Sequence, residues 1–118
     1  MLTNINPKLP MRDKIVTKDF YVNLLRFEVL GDYDDYLIIG KDAIEIHFFQ
    51  FTQLDPKENY GQVYIRTNEI DKLYQSLLDR KVVIHPNGHL NTKPWGQKEF
   101  ALLDPDNNLL TFGQATNF

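Results

Sequence analysis

Pro94-Trp95-Gly96-Gln97-Lys98-Glu99-Phe100-Ala101-Leu102-Leu103-Asp104-Pro105-Asp106-Asn107-Asn108-Leu109-Leu110-Thr111-Phe112-Gly113-Gln114 closes the chain with a legible grammar. An aromatic-bearing loop leads into a short apolar run, Phe100 to Leu103. A cluster of Asp, Pro and Asn follows, and a second run, Leu109 to Phe112, completes it. Asp and Asn tolerate turn dihedrals and Pro imposes one, so residues 104 to 108 between two apolar runs predict a β-hairpin.

Working outward, the first half of the chain repeats what precedes this hairpin. Thr17 to Phe27 carries Phe20, Tyr21, Leu24 and Leu25 on one stripe, the spacing of an amphipathic helix. Asn68 to Lys81 answers with Leu73, Tyr74, Leu77 and Leu78. Asn68 and Asp71 have capping-box-like spacing, and Arg80-Lys81 suits a helix C-terminus. A short strand precedes each helix, Lys8 to Arg12 and Gln62 to Thr67. Strands rich in Ile, Val, Leu and Phe follow each one, with Tyr36 to Ile39 and Ala43 to Phe51 in the first half. The pattern predicts an α+β fold of two βαβββ modules in a single domain. The first module spans about residues 1–53, a linker 54–60 and the second module about 61–118.

Strand alternation assigns faces. Ile44, Ile46 and Phe48 share one side, while Glu45, His47, Phe49 and Phe51 share the other. Val63 and Ile65 oppose Gln62, Tyr64 and Arg66. Leu9 and Met11 oppose Lys8, Pro10 and Arg12, and Leu110 and Phe112 oppose Leu109 and Thr111. One aliphatic face suits packing under the helices. The other, polar and aromatic, either lines a cavity or forms a second packing surface such as a dimer interface.

Bulk properties narrow the function. A chain of 118 residues with 42% hydrophobic and 25% charged residues has the composition of one globular domain. A net charge of -3 argues against nucleic acid, whose binders concentrate Lys and Arg. The absence of cysteine excludes disulfides, Cys-based zinc sites and thiol chemistry. Met1 to Pro10 shows no signal-peptide pattern and no apolar run approaches membrane-spanning length, so a cytoplasmic location is expected, with no membrane partner. Eight phenylalanines, six tyrosines and one tryptophan exceed what a core of this size obviously requires. Glu45 and His47, two apart on a strand, share a face, so either a cavity role or local hydrogen bonding fits. His85 and His89 flank the Pro86-Asn87-Gly88 turn and read as surface loop residues. No Gly-rich phosphate loop or serine nucleophile motif is present.

The chain resembles the vicinal-oxygen-chelate superfamily, which holds glyoxalase I, extradiol dioxygenases, fosfomycin-resistance enzymes and bleomycin-resistance proteins. The likeness runs through Asn6-Pro7-Lys8-Leu9-Pro10-Met11-Arg12-Asp13, Asp19-Phe20-Tyr21 and Leu25-x-Phe27-Glu28-Val29. It continues through Ile46-His47-Phe48-Phe49, Leu54-Asp55-Pro56 and Ile70-Asp71-x-Leu73-Tyr74, then Pro94-Trp95-Gly96 and Asp104-Pro105-Asp106 to Leu110. Metal-using members carry four ligands. By resemblance these positions fall on Asn6, on Glu45 or His47, on Gln62 and on Thr111. Amides and a hydroxyl are weak transition-metal ligands, so the resemblance implies no metal, no cofactor and no catalytic residue here.

It is similar in this respect to the bleomycin-resistance proteins, which bind the drug without modifying it. The implied function is non-covalent sequestration of bleomycin-like glycopeptides, ligands with a flat bithiazole and a cationic tail. The implied assembly is a homodimer that exchanges N-terminal strands, has curved mixed sheets with helices outside, and binds drug in grooves between subunits. Trp95 is then the expected stacking platform, unless its ring folds onto the core. Tyr36, Phe49, Phe51 and Tyr64 could supply further wall or belong to the core. Glu45 and Glu99 would face the cationic tail, and His47, Gln62 and Thr111 would complete the cleft. Two alternatives remain: a metal-dependent lyase, dioxygenase or transferase of the same superfamily, and a binder of another aromatic metabolite.

Overall fold

The computed structural model describes residues 1–116, which divide into two compact units, residues 1–61 with 105–107, and residues 62–104 with 108–116. In the first unit the order is β1 (Lys8–Met11), α1 (Lys14–Lys18), a π-helical segment (Asp19–Leu24), β2 (Glu28–Tyr33), β3 (Tyr36–Lys41) and β4 (Ile44–Gln50). These strands form one sheet in the order β1-β4-β3-β2, with β1 parallel to β4 and the other pairs antiparallel. The second unit repeats the plan with β5 (Gln62–Arg66), α2 (Ile70–Asp79), β6 (Asn91–Thr92), β7 (Gln97–Leu103) and β8 (Leu109–Ala115). Its order is β5-β8-β7-β6, again with the first pair parallel. Two four-stranded mixed sheets of identical strand order bear out the α+β reading and its βαβββ repeat.

Alternation along the strands decides what each sheet buries. Leu9, Met11, Leu37, Ile39, Ile46 and Phe48 are all buried in the first unit. Tyr21, fully buried, packs edge-on against Phe27 and tilted against Phe48. In the second unit Phe100, Leu102, Leu110 and Phe112 turn inward beside Ile70 and Leu77 of α2, and Phe100 stacks on Phe112 at 4.9 Å. Each side chain so removed from water contributes about 1.5–3 kcal/mol, which fixes strand register because a one-residue slip would expose the whole set.

The helices depart from the expected pattern. The single helix expected over Thr17 to Phe27 starts earlier, at Lys14, where the Asp13 side chain caps the Ile15 N–H, and then widens into π geometry. Leu25 N–H accordingly reaches Phe20 O, five residues back. The helix expected from Asn68 to Lys81 is shorter at both ends, and Asn68 and Asp71 form no capping box. Gln114 of β8 takes that role from a distance, its Oε1 accepting the Ile70 N–H at 2.8 Å. Edge strand β2 and the two-residue β6 carry no strong alternation, and β2 is exposed on both faces apart from Gly31.

The closing hairpin forms as its residues dictate. Asp104 and Asn108 are buried and satisfy one another: Asn108 N–H donates to Asp104 Oδ1 at 2.9 Å and Asn108 Nδ2 to Asp104 Oδ2 at 2.8 Å. Asn107 adopts a positive φ of 64°, a conformation asparagine tolerates better than most residues. The tip, residues 105–107, belongs to the first unit, where Arg12 Nε pairs with the buried Asp106 carboxylate at 2.6 Å. Arg12 also donates to Pro105 O at 2.8 Å.

Candidate functional site

The solvent-side face of each sheet carries its own aromatic and acidic network. In the first unit, β3 and β4 place Tyr36, Glu45 and His47 on one surface, because Ile38 pairs with His47 and Tyr36 with Phe49. His47 Nε2 lies 2.6 Å from Glu45 Oε2, and His47 Nδ1 lies 2.8 Å from the Tyr36 hydroxyl. A carboxylate only accepts, so the imidazole proton sits on Nε2, and in the neutral ring Nδ1 accepts the Tyr36 O–H. Asn6 Nδ2 also donates to Glu45 Oε2, at 3.4 Å, and the Lys8 ammonium lies 5.5 Å from the centre of the Tyr36 ring. Phe49 is half-buried on the same face. Phe51 lies just past β4 and is exposed, its N–H tied to Met11 O.

In the second unit the centre is Glu99 on β7, only 8% exposed. Its Oε2 accepts two bonds, from the Tyr64 hydroxyl at 2.7 Å and from Trp95 Nε1 at 3.0 Å. Tyr64 comes from β5 and Glu99 from β7, with β8 between them. The phenol therefore has to cross β8, and it crosses at Gly113, where an added Cβ would overlap the phenolic oxygen. A glycine is required at that point for close approach rather than for backbone freedom. Burial, followed by the hydrogen bond and charge of Glu99, pushes the Tyr64 phenol above its ordinary pKa, while the Arg66 guanidinium pulls it down. Arg66 lies 5.4 Å from the Tyr64 ring centre and donates to Gln97 Oε1 at 3.0 Å.

Trp95 is 65% exposed, so its ring is not folded onto the core. The Pro94-Trp95-Gly96 loop turns tightly, with Gly96 N–H bonded to Lys93 O and Gly96 at φ 77°. A large aromatic surface open to solvent, with its one polar atom already tied to a buried carboxylate, is a pre-oriented stacking surface.

Thus Tyr36, Glu45 and His47 meet in one unit and Trp95, Tyr64 and Glu99 in the other. Thr111 is half-buried on β8, in register with Tyr64 and Ala101, and Gln62 is exposed on β5 opposite Leu109. Neither makes a side-chain hydrogen bond among the described residues. Gln97, Arg66 and Gly113 were not singled out by the sequence. Gln97 and Arg66 could have been found as the i±2 neighbours of Glu99 and Tyr64 on the same strand face.

The four positions at which relatives hold a metal offer a poor donor set. Glu45 and His47 are spent on each other, Asn6 gives an amide to Glu45, and Gln62 and Thr111 supply only an amide and a hydroxyl. Among the described residues no group of three or more His, Asp or Glu converges. These residues do not fit a tightly held divalent ion.

Comparison with known proteins is consistent with this geometry. The sequence model of the Glyoxalase/Bleomycin resistance protein/Dioxygenase superfamily matches residues 9–112. A bleomycin resistance protein of Geobacillus stearothermophilus is 28% identical, over 97% of this chain and 97% of its own length. Among solved structures, a bleomycin resistance determinant encoded on the transposon Tn5 superposes with a TM-score of 0.87 at 24% identity, covering 97% of this chain and 98% of that one. A bleomycin-binding protein complexed with bleomycin gives a TM-score of 0.83 at 25% identity, covering 96% of this chain and 98% of that one.

Proposed function

Because this chain belongs to the glyoxalase/bleomycin resistance protein/dioxygenase superfamily, we propose that it is a drug-sequestering protein, binding bleomycin-like glycopeptides non-covalently and releasing them unmodified. The observation that carries this reading is the pairing of an exposed Trp95 ring with the buried carboxylate that anchors its N–H. A flat heteroaromatic stacks on the indole face, each good ring pair adding ~0.5–1.5 kcal/mol beyond burial. Glu99 attracts the cationic part of the same ligand, more strongly than it would in bulk water because it is largely desolvated. The likeness to a bleomycin-binding protein solved with its drug supports the ligand class.

The reading extends to a homodimer working in the cytoplasm. Met1, Leu2 and Ile5 stand fully exposed ahead of β1, apolar surface that a second copy would cover, while β1 itself pairs with β4 of its own chain rather than being exchanged. The residues proposed to contact the ligand are Trp95, Tyr64, Glu99, Gln62 and Thr111 of the second unit and Tyr36, Glu45, His47, Phe49 and Phe51 of the first. No chemical step is assigned to any of them, since a binder needs none.

Isothermal titration with metal-free bleomycin tests the proposal. Saturable heat, quenched or shifted Trp95 emission, a raised melting temperature and recovery of unaltered drug are expected. No heat and no fluorescence change at tens of micromolar drug would overturn it, as would a modified drug in the recovered fraction.

A further inference from the structure

We propose that Glu99 reads the donor geometry of the cationic ligand, accepting one N–H through Oε1 and so favouring an ammonium over a guanidinium. The inference rests on the sequestration reading and specifies the class of cation it takes.

The asymmetry of the carboxylate carries the argument. Oε2 already accepts Tyr64 and Trp95. Oε1 accepts nothing among the described residues, yet it is not sealed away: the one buried side-chain polar atom lacking a partner there is Thr17 Oγ1. Tyr64 and Trp95 donate hydrogen bonds but no charge. The basic groups nearby are committed elsewhere, Lys98 to Asp71 at 2.5 Å and Arg66 to Gln97. Among the described residues Glu99 has no ion pair, although it is more than nine-tenths buried. A desolvated carboxylate without a counter-charge, opening through a single oxygen beside an exposed indole, is built to be completed by a cation from outside.

The form of that cation follows from which lone pairs are free. A guanidinium binds a carboxylate best as a fork, two parallel N–H donors on two oxygens. Here two neutral donors fill the second oxygen, so one tine of the fork lacks an acceptor. An ammonium turns any one of its three donors onto Oε1 and leaves the others in water. Gly113 maintains the selectivity indirectly, as a positioning residue that lets Tyr64 reach Oε2.

The test titrates two bleomycin-type congeners, identical except for a terminal primary ammonium or guanidinium, into wild type, Tyr64→Phe and Glu99→Gln. Wild type should bind the ammonium congener about tenfold more tightly, the effect of one charge-assisted hydrogen bond. Tyr64→Phe keeps the ring but frees one side of Oε2, so the guanidinium congener should gain and the ratio fall to unity or invert. Glu99→Gln, which removes the charge with little change of shape, should abolish the preference. Equal affinities in wild type, or a ratio unchanged in Tyr64→Phe or Glu99→Gln, would overturn this inference alone. Binding of neither congener by wild type would overturn the sequestration reading and this inference with it.

Discussion

Tyr64 lies across Gly113, its hydroxyl passing over a backbone position where any β-carbon would collide with it, and ends 2.7 Å from Glu99 Oε2. Through that carboxylate a glycine on β8 sets the orientation of an indole on a distant loop, because Trp95 donates to the same oxygen at 3.0 Å. The platform is thus held by a chain of contacts across three strands and one loop, all within the second unit.

Gly113→Ala should break this chain at its start. The phenol must swing away, Glu99 Oε2 keeps one donor, and Trp95 loosens. Overpacking at such a site costs about 1–3 kcal/mol, read as a lower urea midpoint. Trp95 emission should shift to the red and its anisotropy should fall. Adding Tyr64→Ala to Gly113→Ala should recover part of the stability by removing the clash. An unchanged emission spectrum in Gly113→Ala would show that Tyr64 does not govern the indole.

Trp95→Ala should separate binding from folding. With 65% of the residue exposed little core is lost, so stability should fall by only about 0.5–1.5 kcal/mol, the loss of one donor to Glu99. Affinity for the bithiazole drug should fall at least about tenfold in calorimetry, since a stacking partner and its buried area vanish together. A loss of stability beyond that range would point to a structural tryptophan instead.

Alkaline titration should reveal the Tyr64 phenol. Its pKa is raised in the folded protein by burial and by Glu99, so the native state keeps a proton that the unfolded chain gives up. The stabilisation is therefore fully present below the ordinary tyrosine value near 10 and is lost as pH climbs through the elevated one. Tyr64→Phe should lack this part of the decline when urea midpoints are compared between pH 9 and 11. Identical slopes in the two proteins would contradict the assignment.

Arg12→Ala should be costly even though Arg12 itself is partly exposed. It leaves the Asp106 carboxylate, whose side chain is 4% exposed, without the guanidinium at 2.6 Å, and removes the donor to Pro105 O. Loss of about 1–3 kcal/mol is expected from removing the charged donor of a buried carboxylate, which keeps the backbone N–H of residue 12. Asp106→Asn with Arg12→Ala should cost less than the two single losses added, since both remove the same ion pair.

The strands and their faces were legible because their cause is local: a period of two, Leu9 and Met11 or Ile46 and Phe48, is set by chain geometry and by water alone. The hairpin at 104–108 was legible for the same reason, since Asp, Pro and Asn carry their dihedral preferences with them. Glu45 and His47 could be placed on a common face, and Tyr64 on the face opposite Val63 and Ile65, whereas Glu99, ahead of the run read as a strand, could not be placed. Strands β2 and β6 escaped notice because neither buries a face, leaving no alternation to read. The cap of α2 also escaped, because Gln114 supplies it from 44 residues away.

What the sequence determined by itself was therefore the repeat, the strand faces and the list of aromatic and acidic residues left over from the core. Only the tertiary structure decided that Trp95 is open, that Tyr64 and Trp95 share one oxygen of Glu99, and that Gly113 makes room for the first of them. Patterning is a property of neighbours in the chain, whereas a shared hydrogen-bond acceptor is a property of strands that meet only after folding.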